Sequence, residues 1–330
     1  MALTRSSAPY TNFDGLVETG RRRTMIIAVA VAAMAALVVL APAAYAIAIV
    51  TAGFSGIGAW LAWGAYTAHR GLRHPAEAVK RVGLPALGVT QKLSNATLLE
   101  VSPDQRTPFG YVLEKPESPF AGVFRHALNF PGRPPAGKRS TIAVTSPYRE
   151  EGATTIALCL ARTLAASGKS VVLVDCDLRK RTLTKSLGLA PRHGVWEAIG
   201  APDFNKLIQL DPDSHVKILP AGNESGPFRD LFSKRGFFDL VRGLRKQYEC
   251  VILDCPAALS SVDARMIVGG ADSVVLVVAH GKTPASAIKS AQRQLNIGSH
   301  SRPAGIIINK APRSRDLISI GAAAEARDSW

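Results

Sequence analysis

Acidic side chains follow two apolar runs of this 330-residue chain, in positions that could hold a metal ion. Asp175 and Asp177 follow the run VVLV, and Asp254 follows CVIL. If both runs are parallel strands, their carboxyl ends meet at the edge of the sheet where ligands bind. Carboxylate oxygens there can hold Mg²⁺ directly or through water, so these three residues are candidate catalytic acids. Taken alone, the D-x-D pattern equally fits a sugar-nucleotide transferase or a capped turn.

A polar turn between an apolar run and a helical segment supplies a third candidate element. The run 141–145 leads into SPYREEG, and an Ala/Leu-rich segment follows. A phosphate-binding loop needs glycine for close backbone approach and a helix N-terminus directed at the anion. Gly152 supplies the glycine, and Thr154 occupies the position whose hydroxyl contacts Mg²⁺. By itself this stretch also fits an unspecialised strand–turn–helix.

Apolar runs alternate with helical periodicity after residue 138. Predicted strands are 141–145, 171–175, 216–219, 250–254, 273–279 and 304–309, and predicted helices are about 152–167, 227–247, 261–269 and 284–296. Nearly continuous Val/Ile/Leu strands between helices predict an α/β fold with a mostly parallel sheet and helices on both faces. We assign this domain to 138–312 and a flexible tail to 313–330. The four cysteines lack metal-ligand or disulfide spacing and are predicted to be buried thiols.

A long uncharged segment precedes the domain. Residues 24–68 contain no charged side chain and no histidine, which is about twice the ~20 residues that one membrane crossing needs. Basic residues flank both ends, so the positive-inside rule predicts a two-helix transmembrane hairpin in the inner membrane, with 1–23 and both termini cytoplasmic. A cleaved signal peptide and a single tilted span are the alternatives. The Pro-rich stretch 69–137 is predicted to be a juxtamembrane linker with one helix at about 118–130.

The three motifs in this order resemble the bacterial tyrosine kinases of capsule and exopolysaccharide synthesis (BY-kinases), relatives of the MinD/ParA-type P-loop ATPases. The family loop T-S-x-x-P-G-E-G-K-[ST]-T corresponds to 145–155, its D-x-D-x-R motif to 175–179, and its apolar-run D-x-P motif to 252–256. The resemblance covers about residues 70–312 and implies a P-loop NTPase-like fold with ATP or ADP and Mg²⁺ as cofactors. The residues it implies for the nucleotide are Gly152, Thr154, Thr155, Arg179 and Asn309, and for the metal Thr154, Asp175 and Asp254.

Departures from the family pattern concern the groups that act in catalysis. Ala153 stands in place of the loop lysine, and Glu150 replaces a glycine. Arg149 swinging into the loop is an alternative source of positive charge. The helix that should carry E-x2-R-x2-R reads Gly122, Arg125 and Leu128, and no tyrosine follows Tyr248 in the sequence.

These departures predict a membrane-anchored, catalytically impaired regulatory subunit of exopolysaccharide or capsule biosynthesis or export, with weakened nucleotide binding. Its expected partners are inner-membrane polysaccharide polymerase or export proteins, an intact kinase or co-polymerase, and further copies of the chain. An active kinase or ATPase with a rearranged loop, and a membrane-tethered ParA/MinD-like positioning ATPase, are the alternatives. The net charge of +15 favours anionic partners. Because Arg179 in the basic run 179–181 belongs to a family motif, nucleic acid is not an expected partner.

Overall fold

An eight-stranded sheet organises the part of the chain that the computed structural model describes, which comprises residues 29, 71–127, 139–201, 203–222, 231–233, 235–298 and 302–312. The strands are β1 (Ala86–Gln91), β2 (Ser140–Thr145), β3 (Val171–Asp175), β4 (Gln209–Leu210), β5 (Lys217–Leu219), β6 (Cys250–Asp254), β7 (Ser273–Ala279) and β8 (Ala304–Ala311). Their order in the sheet is β1-β8-β7-β2-β6-β3-β5-β4, and every pair is parallel except β4 with β5.

Helices cover both faces of this sheet. The α-helices of the described residues are α1 (Pro75–Val82), α2 (Asn95–Leu98), α3 (Pro108–Glu114), α4 (Pro119–Ala127), α5 (Ala153–Ala166), α6 (Thr182–Ser186), α7 (Val195–Ala198), α8 (Arg235–Gln247), α9 (Asp263–Gly269) and α10 (Ala285–Leu295). Alternate residues of β3 point into two separate apolar cores, Val172 and Val174 into one and Val171 and Leu173 into the other. Burial on both faces explains why the central strands are continuous apolar runs.

The parallel register aligns the carboxyl ends of the central strands. Asp175 at the end of β3 pairs with Asp254 at the end of β6, and Asp254 in turn pairs with Val144 on β2. The loop that follows β2 therefore leaves the sheet beside both acids.

The mostly parallel α/β fold and its main elements are confirmed. Three predicted strands match β3, β6 and β7 residue for residue, and the other three differ by one or two residues at an end. Helices α5, α9 and α10 lie within the predicted ranges. In the predicted range 227–247, Leu231–Ser233 form a 3₁₀ turn and α8 covers Arg235–Gln247, while 227–230 and 234 lie outside the described residues. The four cysteines are buried and free, as predicted.

The stretch predicted as a linker contributes to the same folded unit as the sheet. Strand β1 pairs with β8 at the sheet edge, and α3 and α4 pack against α5. Phe120 and Phe124 of α4 are buried in edge-to-face contact, with ring centroids 5.2 Å apart. The predicted helix at 118–130 is α4, and 128–138 lie outside the described residues. The sequence pattern does not predict β1, because the nearby prolines and Gly88 are typical of linkers.

The multi-pass membrane localisation predicted from the sequence is wrong on the evidence of the structure. Across the described ranges, no helix is long and apolar enough to cross a membrane. Among α1–α10 the longest, α5, has 14 residues and spans about 21 Å, against about 30 Å for a bilayer core. Of the predicted hairpin at 24–68, only Val29 is among the described residues.

A fully buried arginine, Arg162, anchors α5 to neighbouring parts of the fold. The Arg162 guanidinium donates to both carboxylate oxygens of Asp211, at 2.8 and 2.7 Å, and to Asp213 at 2.9 Å. It also donates to the Phe109 carbonyl oxygen at 2.9 Å. One side chain thus joins α5 to α3 and to the turn between β4 and β5.

Asp211→Ala is expected to lower the free energy of unfolding by about 3–5 kcal/mol, because it leaves the Arg162 charge buried without its main partner. Chemical denaturation at neutral pH measures the change. Lys169→Met is the control: it removes a solvent-exposed ion pair with Glu249 and should change the free energy of unfolding far less. Equal losses in the two variants would contradict the role given to Arg162.

Candidate nucleotide-binding site

Asp175 is a buried carboxylate that accepts hydrogen bonds from residues that follow it in the chain. Its Oδ2 accepts from the Thr184 backbone N–H at 3.0 Å and from the Thr184 hydroxyl at 2.6 Å. Its Oδ1 accepts from the Asp177 N–H at 3.3 Å. Burial raises its pKa to about 6, and the Thr184 bonds only partly oppose that shift. Asp175 is therefore fixed in place by α6.

Asp254 is buried beside it without comparable support. Neither carboxylate oxygen has a hydrogen-bond partner among the described residues. Burial raises its pKa well above the usual range, and the neighbouring Asp175 charge raises it further. The Thr154 hydroxyl, which approaches Asp254 without reaching normal hydrogen-bonding geometry, acts in the opposite direction. A buried carboxylate without donors requires a proton or a cation.

The loop between β2 and α5 is held in place by β8, which lies on the opposite side of β2 from β6 in the strand order. Gly152 caps α5 with φ +98°, and a Cβ at this position would lie 2.2 Å from the Asn309 Nδ2. That same Nδ2 donates to the Glu151 carbonyl oxygen at 2.7 Å, while the Asn309 Oδ1 accepts from the Thr90 hydroxyl at 2.7 Å. Glycine is therefore required at 152 by the approach of Asn309 as well as by φ.

Two glutamates precede Gly152 and have opposite environments. Glu151 is buried, accepts from the Tyr148 N–H at 2.8 Å and from the Thr283 hydroxyl, and has its pKa raised by burial. Glu150 is exposed and has φ +63°, the left-handed conformation that a glycine would adopt without strain. The loop thus keeps the backbone shape of a glycine position with a glutamate in it.

A cavity of about 570 Å³ opens over this loop. Four of the predicted nucleotide-binding residues line it, namely Gly152, Thr154, Thr155 and Asn309. Asp177 also lines it, whereas Asp175 and Asp254 are buried outside the lining. Because Thr154 both lines the cavity and approaches Asp254, it connects the buried acids to that space.

One predicted residue lies elsewhere, and several cations were not predicted. Arg179 does not line the cavity; its guanidinium lies 3.9 Å from the Asp263 carboxylate on α9 and is mostly exposed. The cationic side chains that do line the cavity are Lys92, Arg149, Lys180 and Lys310. The sequence singles out Arg149 and, as part of the basic run 179–181, Lys180, but not Lys92 or Lys310. Lys180 follows the D-x-D-x-R motif and Lys310 follows Asn309, so their adjacency to motif residues was the available signal.

The parallel sheet, the loop before a helix N-terminus and the acids on neighbouring strand ends define an α/β domain of P-loop NTPase type. Residues 140–296 match the family model of the AAA domain. The kinase domain of the Escherichia coli tyrosine kinase ETK has the same fold, with a TM-score of 0.64 and 20% identity over 74% of this chain and 96% of that one. The BceF tyrosine kinase domain gives a TM-score of 0.59 at 22% identity, covering 73% and 100%.

Curated relatives extend the likeness to the sequence. The chain is 33% identical to the succinoglycan biosynthesis transport protein ExoP of Rhizobium meliloti over 204 residues, which cover 60% of this chain and 26% of ExoP. It is 31% identical to the tyrosine-protein kinase YwqD of Bacillus subtilis over 144 residues, 43% of this chain and 61% of YwqD. The chain thus spans less than two thirds of either relative. The resemblance to the bacterial tyrosine kinases and their P-loop ATPase relatives is confirmed.

Protonation of the paired acids gives the fold a defined pH dependence. The folded chain keeps protons on Asp175 and Asp254 at pH values where the unfolded chain has released them. Stability is therefore expected to fall as the pH rises from the ordinary aspartate value of 3.8 through about 6. Asp254→Asn should remove part of this decline and stabilise the Mg²⁺-free protein at neutral pH.

Thermal unfolding across this pH range, in buffer containing a chelator, measures the effect. Asp177→Asn controls for the change in net charge, because that carboxylate is at the same strand end but partly exposed. A parallel pH profile for Asp254→Asn and the unmodified chain would contradict the assignment.

Proposed function

We propose that this chain is a nucleotide-binding but catalytically impaired relative of the bacterial tyrosine kinases, acting as a regulatory subunit in exopolysaccharide or capsule biosynthesis or export. One observation carries the proposal. At the start of α5 the lysine position is Ala153, while Asp254 on the adjacent strand end remains buried and without a hydrogen-bond partner among the described residues. The acid retains a place for a cation, whereas the group that acts on a transferring phosphoryl group is missing.

The residues present fit a nucleotide diphosphate or triphosphate with Mg²⁺. The first N–H groups of α5 have no partner within the helix and would bind phosphate oxygens. Thr154 and Asp254 would hold Mg²⁺, with Asp175 behind them, and the bound ion would neutralise phosphate charge. Asn309 would hold the loop in position beneath the nucleotide through its hydrogen bond to the Glu151 carbonyl oxygen. The 570 Å³ cavity is within the range of small-ligand sites.

Impairment follows from two positions in the loop. Losing a charge-assisted contact from lysine costs about 1.5–3 kcal/mol of binding, and a larger effect is expected on phosphoryl transfer, where charge develops on the phosphate. Glu150 adds a carboxylate to the cavity lining, where it repels phosphate.

A regulatory role also agrees with the remaining arginine of the α4 motif. Arg125 donates to the Pro116 carbonyl oxygen and lies 3.6 Å from the Glu117 carboxylate. Gly122 and Leu128 stand where the E-x2-R-x2-R motif has its glutamate and its second arginine. By extension from the transport protein ExoP and the kinase YwqD, we infer that the partners are polysaccharide polymerase or export proteins, or an intact kinase or co-polymerase.

Calorimetric titration of the full chain with ADP and ATP, with and without Mg²⁺, tests the proposal. Binding should require Mg²⁺ and should become about 10- to 100-fold tighter in Ala153→Lys, which restores the missing charge. The unmodified chain should form no phosphotyrosine with ATP and Mg²⁺. Phosphotyrosine that disappears in Asp175→Ala would overturn the impaired reading and support an active kinase with a rearranged loop.

Glu150→Gly separates the shape of the loop from its charge. Glycine adopts φ +63° without strain, so the nucleotide-free chain is expected to gain about 0.5–1 kcal/mol of stability. Removal of the carboxylate should also tighten ADP binding. Glu150→Gln is the matched control, since it removes the charge but keeps the strain, and should tighten binding without raising the melting temperature of the free protein.

A further inference from the structure

A lysine from strand β8 lies beside the loop position where the family lysine is missing. The Lys310 ammonium donates a hydrogen bond to the carbonyl oxygen of Glu150. Its Cε is 3.9 Å from the point that a Cβ on Gly152 would occupy. The Lys310 side chain therefore runs along the loop past Gly152, the residue before Ala153, and it lines the same cavity as Ala153.

A bulge in β8 directs this side chain toward the loop. The pairing of β1 with β8 runs from Val89 opposite Ile308 to Gln91 opposite Ala311, so β8 contains one extra residue between these pairs. Lys310 within that interval has φ +62°, a conformation that favours glycine. Bulges of this kind change the direction in which a side chain points.

Buried hydrogen bonds hold the strained backbone in this shape. The Lys310 N–H donates to the Asn309 Oδ1 at 2.8 Å, and that oxygen also accepts from the Thr90 hydroxyl. The Asn309 Nδ2 is bonded to the loop at the Glu151 carbonyl oxygen. The strand end and the loop are thus one hydrogen-bonded unit, and the position of Lys310 relative to the loop is defined by it. Strain maintained by such a network is a feature of functional sites.

The other cations around the cavity lack this contact with the loop. Arg149 is exposed and forms no hydrogen bond or ion pair within the described part of the chain. Lys92 and Lys180 line the cavity, but they are attached to β1 and to the segment before α6 rather than to the strand bonded to Glu151. Lys310 is therefore the cation whose ammonium group the structure holds against the loop backbone.

We propose that Lys310 binds the phosphates of a nucleoside diphosphate or triphosphate in this loop, supplying from β8 the positive charge that Ala153 does not. This inference rests on the nucleotide binding proposed above. Without nucleotide, the Glu150 carbonyl oxygen accepts from the ammonium; with nucleotide, a phosphate oxygen takes that place. A charged acceptor forms the stronger hydrogen bond, so the exchange favours binding.

Titration of the full chain with Mg²⁺–ADP and with pyrophosphate tests this role. Lys310→Met is expected to weaken both by about 10- to 100-fold. Lys289→Met removes an exposed lysine of α10 and should leave both unchanged. Adding Ala153→Lys to Lys310→Met should restore most of the affinity, which would not occur if Lys310 only supported the fold.

Lys310→Gly separates the fold from the charge. Glycine relieves the positive φ, so the melting temperature of the nucleotide-free protein should stay equal or rise, while Mg²⁺–ADP affinity should fall as in Lys310→Met. If the unmodified chain binds Mg²⁺–ADP and Lys310→Met binds equally well, the inference is overturned while the proposed function stands. Loss of binding in Arg149→Met but not in Lys310→Met would assign the role to Arg149. Absence of binding by the unmodified chain and by Ala153→Lys would overturn both proposals.

Discussion

The burial of two carboxylates side by side is the constraint on which the site depends. The parallel register of β3 and β6 makes Asp175 and Asp254 neighbours, and burial of both strand ends excludes water from them. The Thr184 hydrogen bonds serve Asp175 only. A hydrophobic pair would cost the fold nothing comparable, and the cation proposed above would offset the cost of burying both acids.

The loop between β2 and α5 keeps the backbone shape of a phosphate-binding loop but lacks the positive charge of its lysine. The shape persists through the contact of Asn309 with Gly152, the anchoring of Glu151 by Thr283, and the left-handed backbone at Glu150. The charge at position 153 is absent. A loop without any ligand would have little reason to keep strain at a non-glycine residue, since that conformation costs about 1–2 kcal/mol.

Pattern reading succeeded where burial is two-sided and failed where it is not. Strands β3, β6 and β7 are long apolar runs, so their ends and the acids that follow could be located from the sequence. Strand β1 is a half-buried edge containing Gly88, and it has no such signal. The direction of the Arg179 side chain depends on the turn before α6, in which Arg181 has φ +56°. The direction of the Lys310 side chain depends on the bulge in β8. Neither feature follows from residue spacing. The uncharged run at 24–68 led to the prediction of a multi-pass membrane protein, which the described helices contradict.

The strength with which a cationic side chain binds a phosphate depends on where its charge lies, and not on which strand or helix carries the residue. The parallel strands of this fold end at one edge, so a lysine near the end of β8 can approach the loop that follows β2. A lysine at 153 would be carried by the helix whose N-terminus we propose binds phosphate, and it would move with that helix. Lys310 must instead leave the Glu150 carbonyl, so part of its interaction energy is spent on that exchange. Such a replacement retains binding better than transfer, because transfer needs charge placed to within a fraction of an ångström.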